Sequence, residues 1–194
     1  GPAGRYVYPL EPPPGPRRTM DLRRVRVLGA GTALQIELEM AELSKTWNPL
    51  NGFDHVAFTV FIELPGREGG ATAMPFQNAD VPAGMRWHVR LRAHGWTNAV
   101  FASDGASATA DGRPVTPSPL LSVDEARRTV RLTVPAATLG LPASLSGARL
   151  YVTTWDYDGG YRRLSPQAGG GVIGGGDGSR DPLVMDDTAV IVLP

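Results

Sequence analysis

The chain contains no cysteine, a single lysine (Lys45) and only three histidines, His55, His88 and His94. Without cysteine there is no disulfide, no thiol nucleophile and no cysteine-held zinc or iron–sulfur cluster. This absence does not fix the compartment, since an exported protein need not carry disulfides. No apolar run approaches the roughly 20 residues that a membrane-spanning helix needs. Charge of neither sign is in excess: 19 basic and 19 acidic residues leave a formal net charge of zero. That balance argues against nucleic acid, which asks for a basic surface. The histidines are poorly placed for catalysis. A serine–histidine–acid triad needs a histidine beside its nucleophile, and three histidines could meet at one metal. Yet His55 merely follows Asp54, His88 sits among the polar residues of a strand, and His94 precedes Gly95-Trp96. Residues 1–10 also lack the apolar segment of a secretory leader, which reads as a start inside a longer polypeptide.

What the chain does have is alternation. Leu34, Ile36, Leu38 and Met40 alternate with Gln35, Glu37 and Glu39; Val130, Leu132 and Val134 alternate with Thr129, Arg131 and Thr133. Trp87, Val89 and Leu91 alternate with Arg86, His88, Arg90 and Arg92. A period of two sends alternate side chains to opposite faces of a strand, one dry and one wet. The segment 53–64 is apolar on both faces and reads as a central strand covered twice. Strands are expected near 5–9, 20–28, 32–40, 53–63, 86–93, 97–102, 119–123, 128–134, 148–156 and 184–193. Glycine and proline, 24 and 18 residues, fall between them. Gly29-Ala30-Gly31 reads as a hairpin turn, 11–16 (EPPPGP) as a stiff connector, and 135–140 as one helical turn. The glycine-rich stretch 169–179 is either a mobile flap or a loop pressed against something that tolerates no side chains. The fold class is therefore all-β: one two-sheet antiparallel β-sandwich over 1–194, of about ten strands and almost no helix.

Three groups of residues could carry function. Glu37 and Glu39 could in principle form a carboxylate pair, but their alternation reads as a solvated strand face. The run Trp155-Asp156-Tyr157-Asp158-Gly159-Gly160 sets two carboxylates two residues apart before glycines, a spacing open to calcium. Asp177, Asp181, Asp186 and Asp187 make a second acidic group, and both groups also fit ordinary turn chemistry. Aromatics are the third resource. Trp47 lies in the turn-rich 47–53 segment, with Trp96, Tyr157 and Tyr161 near strand ends or loops. Rings beside Asn and Asp suit sugars, which present an apolar face and a rim of hydroxyls, whereas rings capping the core would look the same. Trp87 keeps period with Val89 and Leu91 and is assigned to the core.

Several short motifs in order resemble one family. The start Gly1-Pro2-Ala3-Gly4-Arg5-Tyr6-Val7-Tyr8-Pro9, then Asp21-Leu22, Trp47–Phe53 (WNPLNGF), His94-Gly95-Trp96, Asp156–Arg162 (DYDGGYR), and Gly174-Gly175-Gly176 before Asp181–Asp186 (DPLVMD) are similar to the C-terminal binding module of glucodextranase and related amylopullulanases. The resemblance implies a DOMON-type sandwich (jelly-roll-like), similar to family-nine carbohydrate-binding modules. It implies a non-catalytic module that binds α-glucan or cell-wall polysaccharide, attached to an upstream catalytic domain, extracellular or at the cell surface. Trp47, Asn51, Trp96, Asp158, Tyr161 and Arg162 are the implied sugar contacts, and Asp156, Asp158 and Asp186 the implied calcium ligands. The family's further acidic residues precede the start, so this chain would supply only part of that calcium site. The family's tryptophan before the glycine triplet is replaced here by Gly171-Val172-Ile173. Other readings stay open. One is a cell-surface attachment domain without a small ligand; another is a jelly-roll lyase or glycosidase using Tyr161, Arg162 and His88. A third is haem held through Met74 or Met85, by fold analogy alone.

Overall fold

The computed structural model describes residues 5–10 and 18–194. The first four residues and the proline-rich stretch 11–16 lie outside the described residues. Among the described residues fifteen strands follow in order: β1 (Leu22–Ala30), β2 (Ala33–Met40), β3 (Ala57–Glu63), β4 (Ala73–Met74), β5 (Ala79–Asp80), β6 (Val89–Ala93), β7 (Asn98–Ala102), β8 (Arg113–Pro114), β9 (Leu120–Asp124), β10 (Thr129–Val134), β11 (Arg149–Trp155), β12 (Leu164–Ser165), β13 (Ile173–Gly174), β14 (Asp186–Asp187) and β15 (Ile191–Val192). A smaller antiparallel sheet runs β1-β2-β10-β9; a larger one runs β14-β11-β3-β6-β7-β8, with β15 also on β11. The two sheets form the sandwich.

The dry faces meet as the alternation requires. Leu34, Ile36, Leu38 and Met40 of β2 and Val130, Leu132 and Val134 of β10 share one cluster with Phe58, Val60 and Ile62 of β3, Val89 and Leu91 of β6, and Leu150 and Val152 of β11. Burial of each such side chain contributes about 1.5–3 kcal/mol. On the opposite, wet face of the small sheet, Glu37 accepts from Arg131 at 2.9 and 3.1 Å and from Arg26 at 3.3 Å. That is a solvated strand face with paired charges, as expected. The β1–β2 hairpin closes at Gly31, whose φ of 62° suits glycine, and 135–140 makes a single turn of i→i+3 bonds.

The large sheet departs from the expected wet face. Behind it lies a second cluster of Phe61, Met74, Val81, Met85, Trp87, Tyr151 and Val184. It covers the face that β6 presents with Arg90 and Arg92, and both arginines and His88 are buried. The central strand β3 is accordingly buried on both faces, with Phe58, Val60 and Ile62 inward and Phe61 outward. Trp87 is core, but of this outer cluster, not of the one that holds Val89 and Leu91. Strand β6 begins only at Val89. Before it, the Trp87 backbone pairs with Ala71, and the indole N–H donates to the Ala73 carbonyl at 2.9 Å. The expected last strand is reduced to β14 and β15, and 53–56 precedes β3, with His55 at a φ of 58°.

The glycine-rich stretch is the pressed loop, not a flap. Residue Val7 exchanges both backbone bonds with Gly174, at 2.8 and 2.9 Å. A Cβ on Gly176 would sit 2.8 Å from the Tyr6 ring, and one on Gly178 would sit 2.6 Å from the Leu164 carbonyl oxygen. What tolerates no side chain is thus the chain's own N-terminal segment and β12. Tyr6 completes this latch: its hydroxyl donates to the Pro182 carbonyl at 2.7 Å and its ring meets Trp155 edge-on at 5.6 Å.

Candidate functional site

At one end of the sandwich the loop before β3 and the turn between β6 and β7 are lashed together. Asp54 is the anchor of the first. Its carboxylate is buried, accepts from the Trp47 backbone N–H at 2.8 Å, and takes the Ser44 hydroxyl in a short hydrogen bond. Asn51 is the tie to the second. Its amide donates to the carbonyls of His94 (2.6 Å) and Thr97 (3.2 Å), and its backbone N–H donates to Gly95. A Cβ on Gly95 would lie 2.9 Å from the Pro49 side chain, so this approach requires glycine.

These ties set a row of rings along the rim. The Trp47 ring lies 4.1 Å from His55 and 6.2 Å from Trp96. The His94 ring lies 6.5 Å from Trp96 and 4.8 Å from Tyr157, which meets Tyr161 edge-on at 5.2 Å. Trp47 and Trp96 keep 40% and 39% of their surface exposed. Two half-exposed indoles held side by side by buried Asp54 and half-buried Asn51 form an apolar platform.

The other expected site residues have different employment. Asp158 is exposed, at the tip of a tight hairpin closed by its backbone N–H to Gly160. The Arg162 guanidinium pairs with buried Asp156 in a short ion pair and donates to the Gly171 carbonyl at 3.0 Å. The Tyr161 hydroxyl points inward and is buried. Asp186 Oδ2 and Oδ1 accept the backbone N–H groups of Leu22 (2.9 Å) and Asp187 (3.0 Å). Asp177 and Asp181 serve their own turn: Asp177 accepts from Ser179, and Asp181 from the Asp177 backbone N–H. Among the described residues, no three acidic, histidine or cysteine side chains converge where a metal could sit. Asp156, Asp158 and Asp186 are each bonded separately or exposed, and are not brought into one such group. The structure adds Tyr157, a ring in line with the indoles, and His55 and His94 beneath them. Tyr157 was visible as an aromatic near a strand end, but nothing in the sequence distinguished it from Tyr161.

The histidines act as structural polar groups. His88 Nδ1 accepts from the Leu64 N–H at 2.9 Å, and His94 Nε2 faces the Thr97 hydroxyl at 2.6 Å. Burial lowers the pKa of both below the ordinary 6.5, reinforced by Arg67 at His88 and by Arg92 at His94. The unfolded chain therefore takes up protons near pH 6.5 that the folded chain refuses. These groups' contribution is intact above that pH and is lost as the pH falls below it. The urea midpoint is expected to drop between pH 7.5 and 5.5, and His88→Gln to flatten the drop. A midpoint that rises on acidification contradicts this.

A β-sandwich carrying an aromatic platform on its loops has the form of a binding module. The family described as the C-terminal binding module, SLH-like, of glucodextranase matches residues 1–191, and the chain belongs to it. The family is one of binding modules, not of catalytic domains. No curated protein matches the chain.

Proposed function

We propose that this module binds a neutral polysaccharide, an α-glucan or a cell-wall glucan, on the Trp47–Trp96 platform. It serves as the accessory of a glucan-degrading catalytic domain in the same polypeptide, outside the cell or on its surface. The observation that carries the reading is the pair of half-exposed indoles 6.2 Å apart, with Asp54 holding the Trp47 backbone and Asn51 holding the carbonyls of His94 and Thr97 on either side of Trp96. Sugar faces stack on such rings for about 0.5–1.5 kcal/mol each, and exposed Asp158 is placed to accept from hydroxyls. Few contacts of that size give dissociation constants of roughly micromolar to millimolar. Asn51, whose amide donates to the His94 and Thr97 carbonyls, acts as a positioning residue; Arg162 is held by Asp156 and Gly171 through Nε and Nη1 and keeps Nη2 for a hydroxyl.

Titration with malto- and isomalto-oligosaccharides, read by tryptophan fluorescence, tests this. Trp47→Ala or Trp96→Ala is expected to weaken binding about 3- to 10-fold while leaving the melting temperature nearly unchanged. Retention on cell-wall preparations without any response to soluble sugar would favour the attachment reading instead. A calcium contribution would need ligands beyond the three aspartates. It predicts a lower melting temperature in chelator, and an unchanged one removes it.

A further inference from the structure

Behind the rim, the outer face of the large sheet holds a buried cationic pair that sugar binding does not use. Arg90 and Arg92 stand two apart on β6, so their side chains leave the same face. Arg90 is fully buried and Arg92 is 9% exposed. Both guanidinium groups lie over the Phe101 ring, at 4.8 and 5.3 Å, and Arg92 also lies 4.5 Å from the Tyr157 ring. One carboxylate serves both. Asp111 takes Arg90 Nη2 in a short ion pair and Arg92 Nη1 at 3.1 Å. Two positive charges thus meet one negative.

The hydrogen bonding is equally incomplete. Arg90 Nε and Nη1, Arg92 Nε and the Tyr161 hydroxyl are buried with no partner among the described residues. Tyr161 adjoins the cluster through Tyr157: it meets that ring edge-on at 5.2 Å, and the Arg92 guanidinium lies over the same ring at 4.5 Å. The three guanidinium atoms are N–H donors and the phenol can donate as well. Water could accept these bonds but would leave the extra charge uncompensated in a poorly solvated place. A small anion answers both needs.

We propose that Arg90, Arg92 and Tyr161 form an internal site for a small monovalent inorganic anion of the chloride type, behind the aromatic rim. The site is independent of the sugar reading, and it braces Tyr157 through the Arg92 guanidinium.

Thermal unfolding of the chain in sodium chloride and in sodium gluconate, at matched ionic strength, tests it. Above its dissociation constant, chloride is expected to raise the melting temperature about 3–5 °C for each tenfold increase. Gluconate, too large to enter, is expected not to. Tyr161→Phe deletes one donor. It is expected to be at least as stable as the parent in gluconate, where the hydroxyl is a buried cost, and to bind chloride about tenfold or more weakly. A crystal soaked in bromide is expected to show an anomalous peak between the two arginines. Identical melting in chloride and gluconate, or no peak there, overturns the site; an unchanged chloride response in Tyr161→Phe overturns the assignment of its hydroxyl.

Discussion

Replacing Asp111 with asparagine is expected to lower stability by about 3 kcal/mol or more, a fall of roughly 6–12 °C in melting temperature for a domain of this size. The reason lies in what it leaves behind. Arg90 is fully buried and Arg92 nearly so, and Asp111 is the carboxylate paired with both. Asparagine keeps the shape and one acceptor but removes the only negative charge of the cluster. Two guanidinium groups beside Phe101 are then left with no carboxylate partner. The exposed pair between Arg113 and Asp104, 3.0 Å apart, is the control. Both partners are more than half exposed there, so Asp104→Asn is expected to change stability no more than the scatter of measurement. Equal effects at Asp111 and Asp104 would mean that the outer face of the large sheet is wet after all.

The second large effect is expected at Gly175. Its φ is 94°, a conformation that side chains resist, and a Cβ there would run into the Arg5 carbonyl. Gly175→Ala is expected to cost about 2–4 kcal/mol and to loosen the latch in which Val7 pairs with Gly174. Amide exchange at Val7 and Gly174 would report the loosening directly. Gly160→Ala is the matching control, because Gly160 has open space around its Cβ position and an ordinary φ. If both substitutions proved neutral, the glycine-rich stretch would be a free flap and the packing against Tyr6 and Arg5 would be wrong.

These two effects mark where the sequence was and was not legible. Strands β2 and β10 could be read residue by residue, because each faces the core on one side and water on the other. The doubly buried β3 was equally plain, being apolar on both faces. The same rule misled at β6. Its Arg86, His88, Arg90 and Arg92 look like a wet face, and nothing local reveals that 71–87 and the loops after β11 fold across it. Arginines are buried here by tertiary packing and by a carboxylate at position 111, nineteen or more residues away. Trp87 was rightly placed in a core but on the wrong side of the sheet, since the strand begins at Val89, three residues later than its alternation suggests. In the candidate site, Trp47 and Trp96 were legible because a loop tryptophan needs a reason. Asn51, Arg162 and Asp156 were legible only as polar residues in turns. Their use as ties to backbone carbonyls and to one another is a matter of geometry that spacing does not carry.

The rim itself offers the most direct test, because the four tryptophans divide evenly. Trp47 and Trp96 are about 40% exposed, whereas Trp87 and Trp155 are buried at 0% and 1%. Each gives its own indole N–H signal by nuclear magnetic resonance. On titration with a malto- or isomalto-oligosaccharide to millimolar concentration, the signals of Trp47 and Trp96 should move together along one binding curve while those of Trp87 and Trp155 stay in place. Signals of Trp47 and Trp96 that stay fixed, or shifts centred on the buried pair, would contradict a glucan-binding platform at this end of the sandwich.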